Sequence, residues 1–315
     1  MSTNETGFIK ILALILVLGA STLSSGCAED KKQSYKNKLS NQADSQILNG
    51  EEVTPLDPVS KKALYLATGA QLIKTPKGYS ASQKGQCTAV AILPNVILTA
   101  GHCVIAEKPE DNQTADSVFV ILGNKPWKAK FDPNLWYAVD EIKVIDTYGR
   151  NKSGGSENDL ALLKLKRPLP SEYVTELATE VQLFPVMDFM MAGYGLRSNL
   201  AELNPEQEKK NLGELYRTYK ILEDYELNSP KILIDQTDMK GICSGDSGGP
   251  GLIYDQSQKK YYVLGIVSGT KWLESDKNKF DPENKVTCFG TAVYTNVLFP
   301  EYLDWIKKTS ENFNK

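Results

Sequence analysis

Three residues of this 315-residue sequence have types and settings suited to nucleophilic chemistry. His102, in "TAGHC" (99–103), is the only histidine. One imidazole cannot build a typical zinc site, which takes several imidazoles or thiolates. It can serve as the single general base of a nucleophilic enzyme. Alone between Gly101 and Cys103 it reads as structural, but "GICSGDSGGP" (241–250) changes that. Ser247 stands between Asp246 and two glycines, where the backbone can turn tightly and bring N–H groups close to a bound carbonyl. A serine hydroxyl is a poor nucleophile at neutral pH and needs a base within reach. Histidine, with an ordinary pKa near 6.5, is the usual one. The base in turn needs an acid to hold its tautomer. "NDLALLKL" (158–165) puts Asp159 directly before an apolar strand, from which its carboxylate can point into a cleft.

These residues need elements to position them. From Ile47 onward, short apolar runs rich in Val, Ile, Leu and Tyr alternate with turn-rich breaks. "TAVAILPNVILTA" (88–100), "DSVFVILG" (116–123), "LALLKL" (160–165), "KILID" (231–235) and "YYVLGIVSG" (261–269) are examples, and the spacing predicts an all-β sandwich or barrel. Two segments read as helical. "NPEQEKKNLGELYRTY" (204–219) is charged and fits a helix or an elongated surface loop. "PEYLDWIKKTSENF" (300–313) has Pro300 in its first turn and Tyr302, Leu303 and Ile306 at helical spacing.

Composition is that of a soluble globular chain, with 41% hydrophobic and 24% charged residues. Removing residues 1–46, with five lysines and four acids, takes the net charge only from −3 to −4. A mildly acidic body argues against nucleic acid as a partner. The N-terminus reads as a signal peptide (1–26). Lys10 precedes the apolar run "ILALILVLGA" (11–20), which is too short to span a bilayer. "STLSSGC" (21–27) resembles the lipobox of bacterial lipoproteins, in which the cysteine, here Cys27, is lipidated and becomes the first mature residue. Ordinary secretion, with cleavage near Gly26, is the alternative. Either way the protein is exported, as a cell-envelope lipoprotein or a secreted protein. Residues 27–46 are polar and read as a linker or propeptide. There are five cysteines. If Cys27 carries lipid, the other four allow three disulfide pairings. An unpaired thiol could also stay free or link a dimer.

Several motifs, in order from Ile47 to about Lys308, resemble the trypsin-like serine peptidases of the chymotrypsin family. "ILNG" (47–50) resembles the activated N-terminus, "LTAGHC" (98–103) the histidine motif and "NDLALLKL" the aspartate motif. "AGYG" (192–195) resembles a glycine-aromatic-glycine strand, with Tyr194 where Trp is common. "CSGDSGGP" (243–250) resembles the serine motif, "GIVSG" (265–269) the substrate-binding strand, "AVYTNV" (292–297) the pocket strand and "YLDWI" (302–306) the C-terminal helix.

The resemblance implies a peptidase domain over 47–308, made of two six-stranded antiparallel β-barrels (about 47–170 and 171–300) and a C-terminal helix. The active site lies between the barrels. It implies a serine endopeptidase acting on proteins or peptides, monomeric and without metal or other cofactor. Calcium is not expected, because the acids of the calcium loop are missing after Gly123. His102, Asp159 and Ser247 would be catalytic, and the N–H groups of Gly245 and Ser247 would form the oxyanion hole. Disulfides Cys87–Cys103 and Cys243–Cys288 would contribute about 3–4 kcal/mol each by loop length. Cleavage before Ile47 would let its ammonium pair with Asp246 and release the domain from a membrane anchor. Gly241 at the pocket floor, with Ser268, Thr270 and Ala292 around it, implies cleavage after small or medium uncharged residues, and Ser268 also resembles a family serine near the buried aspartate. Asp238 is the acid that could alter this by reaching the pocket. Gly269 departs from the Trp usual in the family. Two other function classes are a catalytically silent binding module of the same fold, and a surface lipoprotein whose charged insert (about 197–215) binds a partner.

Overall fold

The structure is a computed structural model of the chain, and it describes residues 50–127, 132–150, 155–196, 212–223, 225–238, 240–271, 288 and 290–313. Ile47, Cys27, the signal and linker segments and most of the charged insert lie outside the described residues. In chain order the strands are β1 (Glu51–Glu52), β2 (Leu64–Thr68), β3 (Gln71–Thr75), β4 (Gly78–Ser82), β5 (Gly85–Leu93), β6 (Val96–Thr99), β7 (Phe119–Ile121), β8 (Trp136–Val144), β9 (Gly149–Arg150), β10 (Ser156–Glu157) and β11 (Ala161–Leu165). They continue with β12 (Val186–Gly193), β13 (Tyr216–Glu223), β14 (Lys231–Asp235), β15 (Pro250–Asp255), β16 (Lys260–Lys271) and β17 (Thr291–Asn296), and helix α1 (Pro300–Phe313) closes the chain.

Strands β11-β6-β5-β2-β7-β8 form a closed antiparallel barrel. Its strands are built of β-branched and small apolar residues, which suit a pleated surface buried on both sides. All five residues of β2 and all four of β6 are buried. The second half is a seven-stranded sheet in the order β1-β13-β12-β15-β16-β17-β14. The fold is therefore chymotrypsin-like and all-β, but only the first barrel closes. Among the described residues no ladder joins β14 to β13. The outer edge of β13 instead carries β1, with Glu51 opposite Arg217 and Glu52 opposite Tyr216. Glu51–Glu52, read from sequence with the first barrel, thus belongs to the second sheet.

The helical reading of 204–219 is corrected at its C-terminal end. Tyr216–Tyr219 lies in β13, where Tyr216, Thr218 and Leu222 are buried. β-Branched and aromatic residues at two-residue spacing fit a strand, and pairing with β12 along its whole length outweighs the helix-forming charges upstream. The C-terminal helix forms as read. It buries Tyr302, Ile306, Ser310 and Phe313, one stripe at three- and four-residue spacing.

Candidate active site

His102 sits on a short 3-10 turn, Gly101–Cys103, directly after β6. Cys103 is disulfide-bonded to Cys87 of β5, which ties this turn to the barrel wall. Asp159 lies two residues before β11 and is 1% exposed. It follows Asn158, whose φ of 49° is in the left-handed region that asparagine tolerates. Asn158 is held from two sides: its Nδ2 donates to Thr147 O at 2.8 Å, and Tyr302 Oη of α1 donates to its Oδ1 at 2.6 Å. The C-terminal helix thus braces the turn that carries Asp159.

The two residues meet along both backbone and side chain. His102 N donates to Asp159 Oδ1 at 2.9 Å, and His102 Nδ1 donates to Oδ2 at 2.8 Å. Ser268 Oγ donates to the same Oδ2 at 2.6 Å. Burial opposes ionisation of Asp159, but these hydrogen bonds and the His102 charge outweigh it and hold the carboxyl below the usual carboxylate range. An ionised Asp159 can only accept, so the Nδ1 proton stays on His102. Nε2, with no partner among the described residues, is left to take a proton.

The serine loop runs from Cys243 to β15 and is held between the two sheets. Thr88 N of β5 donates to Ser247 O at 2.8 Å, and Gly248 N donates to Val267 O of β16 at 2.8 Å. Gly248 has φ +79°, and a Cβ there would run into Thr99 Oγ1. Only glycine lets the loop lie this close to the first barrel. Cys103 Sγ is 3.6 Å from Ser247 O, so the histidine turn and the serine loop touch. Ser247 Oγ and His102 Nε2 are not hydrogen-bonded to each other here. Such contacts often tighten only once substrate is bound.

The N–H groups of Gly245 and Ser247 have no acceptor among the described residues. Gly245 has φ +100°, and its carbonyl accepts from Thr88 Oγ1 at 2.9 Å. Asp246 is 1% exposed. Its Oδ1 accepts from Gly195 N at 2.7 Å and its Oδ2 from Cys243 N at 2.8 Å. Burial pushes the Asp246 carboxyl up to about 7, against the pull of those two N–H groups. Among the described residues no cation reaches it. Gly50 is buried, three residues after Ile47, and leads into β1.

The remaining sequence-read residues are placed as follows. Cys243 is disulfide-bonded to Cys288, joining the serine loop to the segment before β17. Gly241 is buried. Ala292 of β17 is fully buried and lies opposite Thr270 of β16, which is exposed at the sheet end. Ser268 turns its hydroxyl to Asp159. Asp238 is on the surface, paired with Lys220 and accepting from Lys240 N at 3.0 Å. Cys87, His102 and Cys103 bring their ligand atoms within 4.8 Å of one another. The two sulfurs are bonded to each other, however, and a disulfide offers no thiolate to a metal.

Residues 73–306 match the sequence family described as Trypsin. The chain belongs to the trypsin family. It is 26% identical over 192 residues to venom serine protease 34 of Apis mellifera, covering 58% of this chain and 45% of that protein. Over 245 residues it is 26% identical to vitamin K-dependent protein C of Oryctolagus cuniculus, covering 71% and 46%. Over 237 residues it is 27% identical to transmembrane protease serine 11G of Mus musculus, covering 71% and 49%. The chain spans about half the length of these curated relatives. Among solved structures it is similar to HL collagenase, with a TM-score of 0.56 and 20% identity over 84% of this chain and 99% of that one, a likeness of fold.

Sequence reasoning missed two residues that hold this candidate site in place: Asn158 and Thr88. Thr88 carried a usable signal. A hydroxyl in the apolar run after Cys87 is buried by its neighbours and must find partners. Its Oγ1 accepts from Tyr194 N at 3.2 Å as well as donating to Gly245 O. The two disulfides fit an oxidising compartment outside the cytoplasm.

Proposed function

We propose that this trypsin-family chain is an exported serine endopeptidase that hydrolyses proteins and peptides through Ser247, His102 and Asp159. The observation that carries the reading is His102: its Nδ1 is bound to buried Asp159 while Nε2 is unengaged, beside a serine loop with two unengaged N–H groups. Ser247 Oγ attacks the peptide carbonyl and gives its proton to His102 Nε2. The N–H groups of Gly245 and Ser247 stabilise the oxyanion, each worth about 3–4 kcal/mol on removal. The C–N bond then breaks, and His102 delivers the proton to the leaving amine. Water hydrolyses the acyl-Ser247 ester by the same path in reverse. A fluorophosphonate probe tests the reading against a silent binding module. Covalent labelling at Ser247, lost in His102→Ala, is expected; an unlabelled, folded protein refutes it.

Thr88 serves the proposed oxyanion hole as a positioning residue, since it engages both residues that supply it. Thr88→Val keeps the shape but leaves the Gly245 carbonyl without its donor. A lost buried hydrogen bond costs about 1–3 kcal/mol. Here that is expected to lower kcat about tenfold or more, with KM within about twofold. Thr88→Ser should restore kcat. Steady-state kinetics showing an unchanged kcat in Thr88→Val rules the role out.

Activation rests on Asp246. The chain is made as an inactive precursor, anchored through lipid on Cys27, and a cut between Gln46 and Ile47 both activates and releases it. The new ammonium of Ile47 pairs with Asp246, a buried pair whose breaking costs about 3–5 kcal/mol. In the uncut chain the folded carboxyl lies near 7, above the ordinary value of about 3.9. Its stabilising contribution is then full below about 3.9 and is lost as pH rises through about 7. Pairing with Ile47 brings the carboxyl back down and removes that loss. Denaturation of uncut and cut protein between pH 4 and 8 is expected to show the loss in the uncut form only. Identical profiles, active enzyme starting upstream of Ile47, or full activity of Asp246→Asn each reject the scheme.

Cleavage follows small or medium uncharged residues. Gly241 supplies no carboxylate, and Asp238 is engaged by Lys220 on the surface. A cationic substrate side chain would lose its hydration without a countercharge.

A further inference from the structure

The first barrel carries a groove at the end of its strands away from the catalytic turn. His102 follows the C-terminal end of β6, and Asp159 precedes the start of β11. The groove, of about 420 Å³, opens instead beside Asn95, before β6, and Leu165, at the end of β11. A strand of four or five residues separates the two ends, about 15 Å. Backbone bonds fix the groove's shape. Leu165 N donates to Asn95 O at 2.9 Å, Lys166 N to Ala138 O at 3.0 Å and Leu169 N to Pro94 O at 2.7 Å. Pro94 and Pro168 stand in its lining and stiffen it further. The pairing of β11 with β8 also shifts here: Lys164 faces Glu141, but Leu165 faces Val139. Asp140 is the extra residue of this bulge, and it too lines the groove.

Lys164, Lys166 and Arg167 line the groove, with Asp140 as its one acid. On a chain of net charge −3 this is a local excess of cations. Arg167 is held in place but not exhausted. Its guanidinium stacks 3.6 Å from the centre of the Tyr137 ring, and Nη2 donates to Trp136 O at 3.2 Å and to Asn134 O. Nε and Nη1 have no partner among the described residues, and neither has the Lys166 ammonium. Lys164 is the one residue of β11 that is not buried, and it meets Asp140 only at 4.0 Å. A solvated surface lysine would account for Lys166 alone. A stacked guanidinium fixed by two carbonyls, beside a bulged acid, is a preorganised arrangement with donors to spare.

We propose that this groove is a docking site for an acidic–apolar segment of a partner protein, an extended stretch in which Asp or Glu alternates with aliphatic residues. Its carboxylates pair with Arg167 and Lys166, and its aliphatic side chains lie against Pro94 and Pro168. The charge balance selects this class of ligand. Asp140 in the lining repels a phosphate dianion more than a single carboxylate, and the acidic body repels a polyanion as a whole. The volume admits a few side chains rather than a run of charged polymer. The site is separate from the proposed peptidase centre and does not depend on it.

The test is direct binding to the full exported chain, carrying Ser247→Ala so that no peptide is consumed. The probe is a short fluorescein-labelled peptide of alternating Glu and Leu, followed by fluorescence anisotropy. Saturable binding is expected, and raising the salt from about 50 to about 500 mM should weaken it several-fold. Lys166→Glu, at an exposed position, should weaken it about tenfold or more. Asp140→Asn removes the acid and frees Lys164, so it should tighten binding about threefold or more. A damaged fold does not produce a gain of affinity, so the two variants of opposite sign separate docking from stability. No saturable binding, equal binding of the peptide with Gln in place of Glu, or an Asp140→Asn affinity at or below the parent's each overturns the proposal. Binding of labelled heparin without binding of the Glu–Leu peptide assigns the groove to a polyanion and overturns it as well.

Discussion

Ser247→Ala is expected to lower peptide hydrolysis by about 10⁵–10⁶-fold, the scale reached when a serine nucleophile is removed from a triad that acts as a unit. The loop around it should stay in place. Its anchors are backbone bonds from Thr88 and Gly248 together with Gly248's fit against Thr99, and none of them uses the Ser247 hydroxyl. Loss of one oxygen at a partly exposed site should leave stability within about 0.5 kcal/mol. The Gly245 and Ser247 N–H groups survive in the variant, so a weak residual rate over water remains. The check is kcat on casein and on a peptide ester, with Tm recorded for the same preparation. A correctly processed variant that cleaves at the parent rate removes Ser247 from the mechanism.

Asp159→Asn carries the second largest effect, about 10⁴-fold in kcat. The reason lies in the directions of its three hydrogen bonds. Asp159 accepts from His102 N, from His102 Nδ1 and from Ser268 Oγ. An asparagine must point an NH₂ at one of these donors. If it faces Nδ1, the imidazole proton moves to Nε2 and the base can no longer take the serine's proton. The substitution also has a pH signature. The folded Asp159 carboxyl lies below its ordinary range, so its stabilising contribution is complete above about 3.9. That contribution is lost as pH falls through the lower folded value. The stability gap between parent and Asp159→Asn should therefore be widest near neutrality and close in acid. Denaturation of both proteins from pH 7 downward measures it. A gap that is constant with pH means Asp159 contributes by packing alone.

How much of this was readable beforehand differs from residue to residue. The order of His102, Asp159 and Ser247, with a glycine-rich setting for the serine, is local information. Each motif spans only a few residues, and its glycines are dictated by its own backbone, as at Gly245 and Gly248 with their positive φ. The strands of the first barrel were readable for the same reason. Their apolar runs and breaks lie within single segments such as 88–100. The helix at 300–313 announced itself by its spacing, and its buried stripe uses that spacing.

What the sequence left ambiguous was settled by partners far away along the chain. Tyr216–Tyr219 reads as the end of a helix or of a surface loop, and becomes a strand because β12 and β1 take its two edges. Asp238 is a plausible pocket acid until Lys220, on another strand, draws it to the surface. Ser268 is placed near the buried aspartate only by family resemblance, and its hydroxyl reaches Asp159 across 109 positions of chain. Thr88 looks like an ordinary polar residue in apolar company. It gains its role from the carbonyl of Gly245, 157 positions away. The physical reason is common to all four. Residue type and short-range spacing determine which groups are present and which local turns are possible. Where a buried polar group finds its partner is decided only when distant segments pack, because leaving such a group unpaired costs about as much as the strongest local preference.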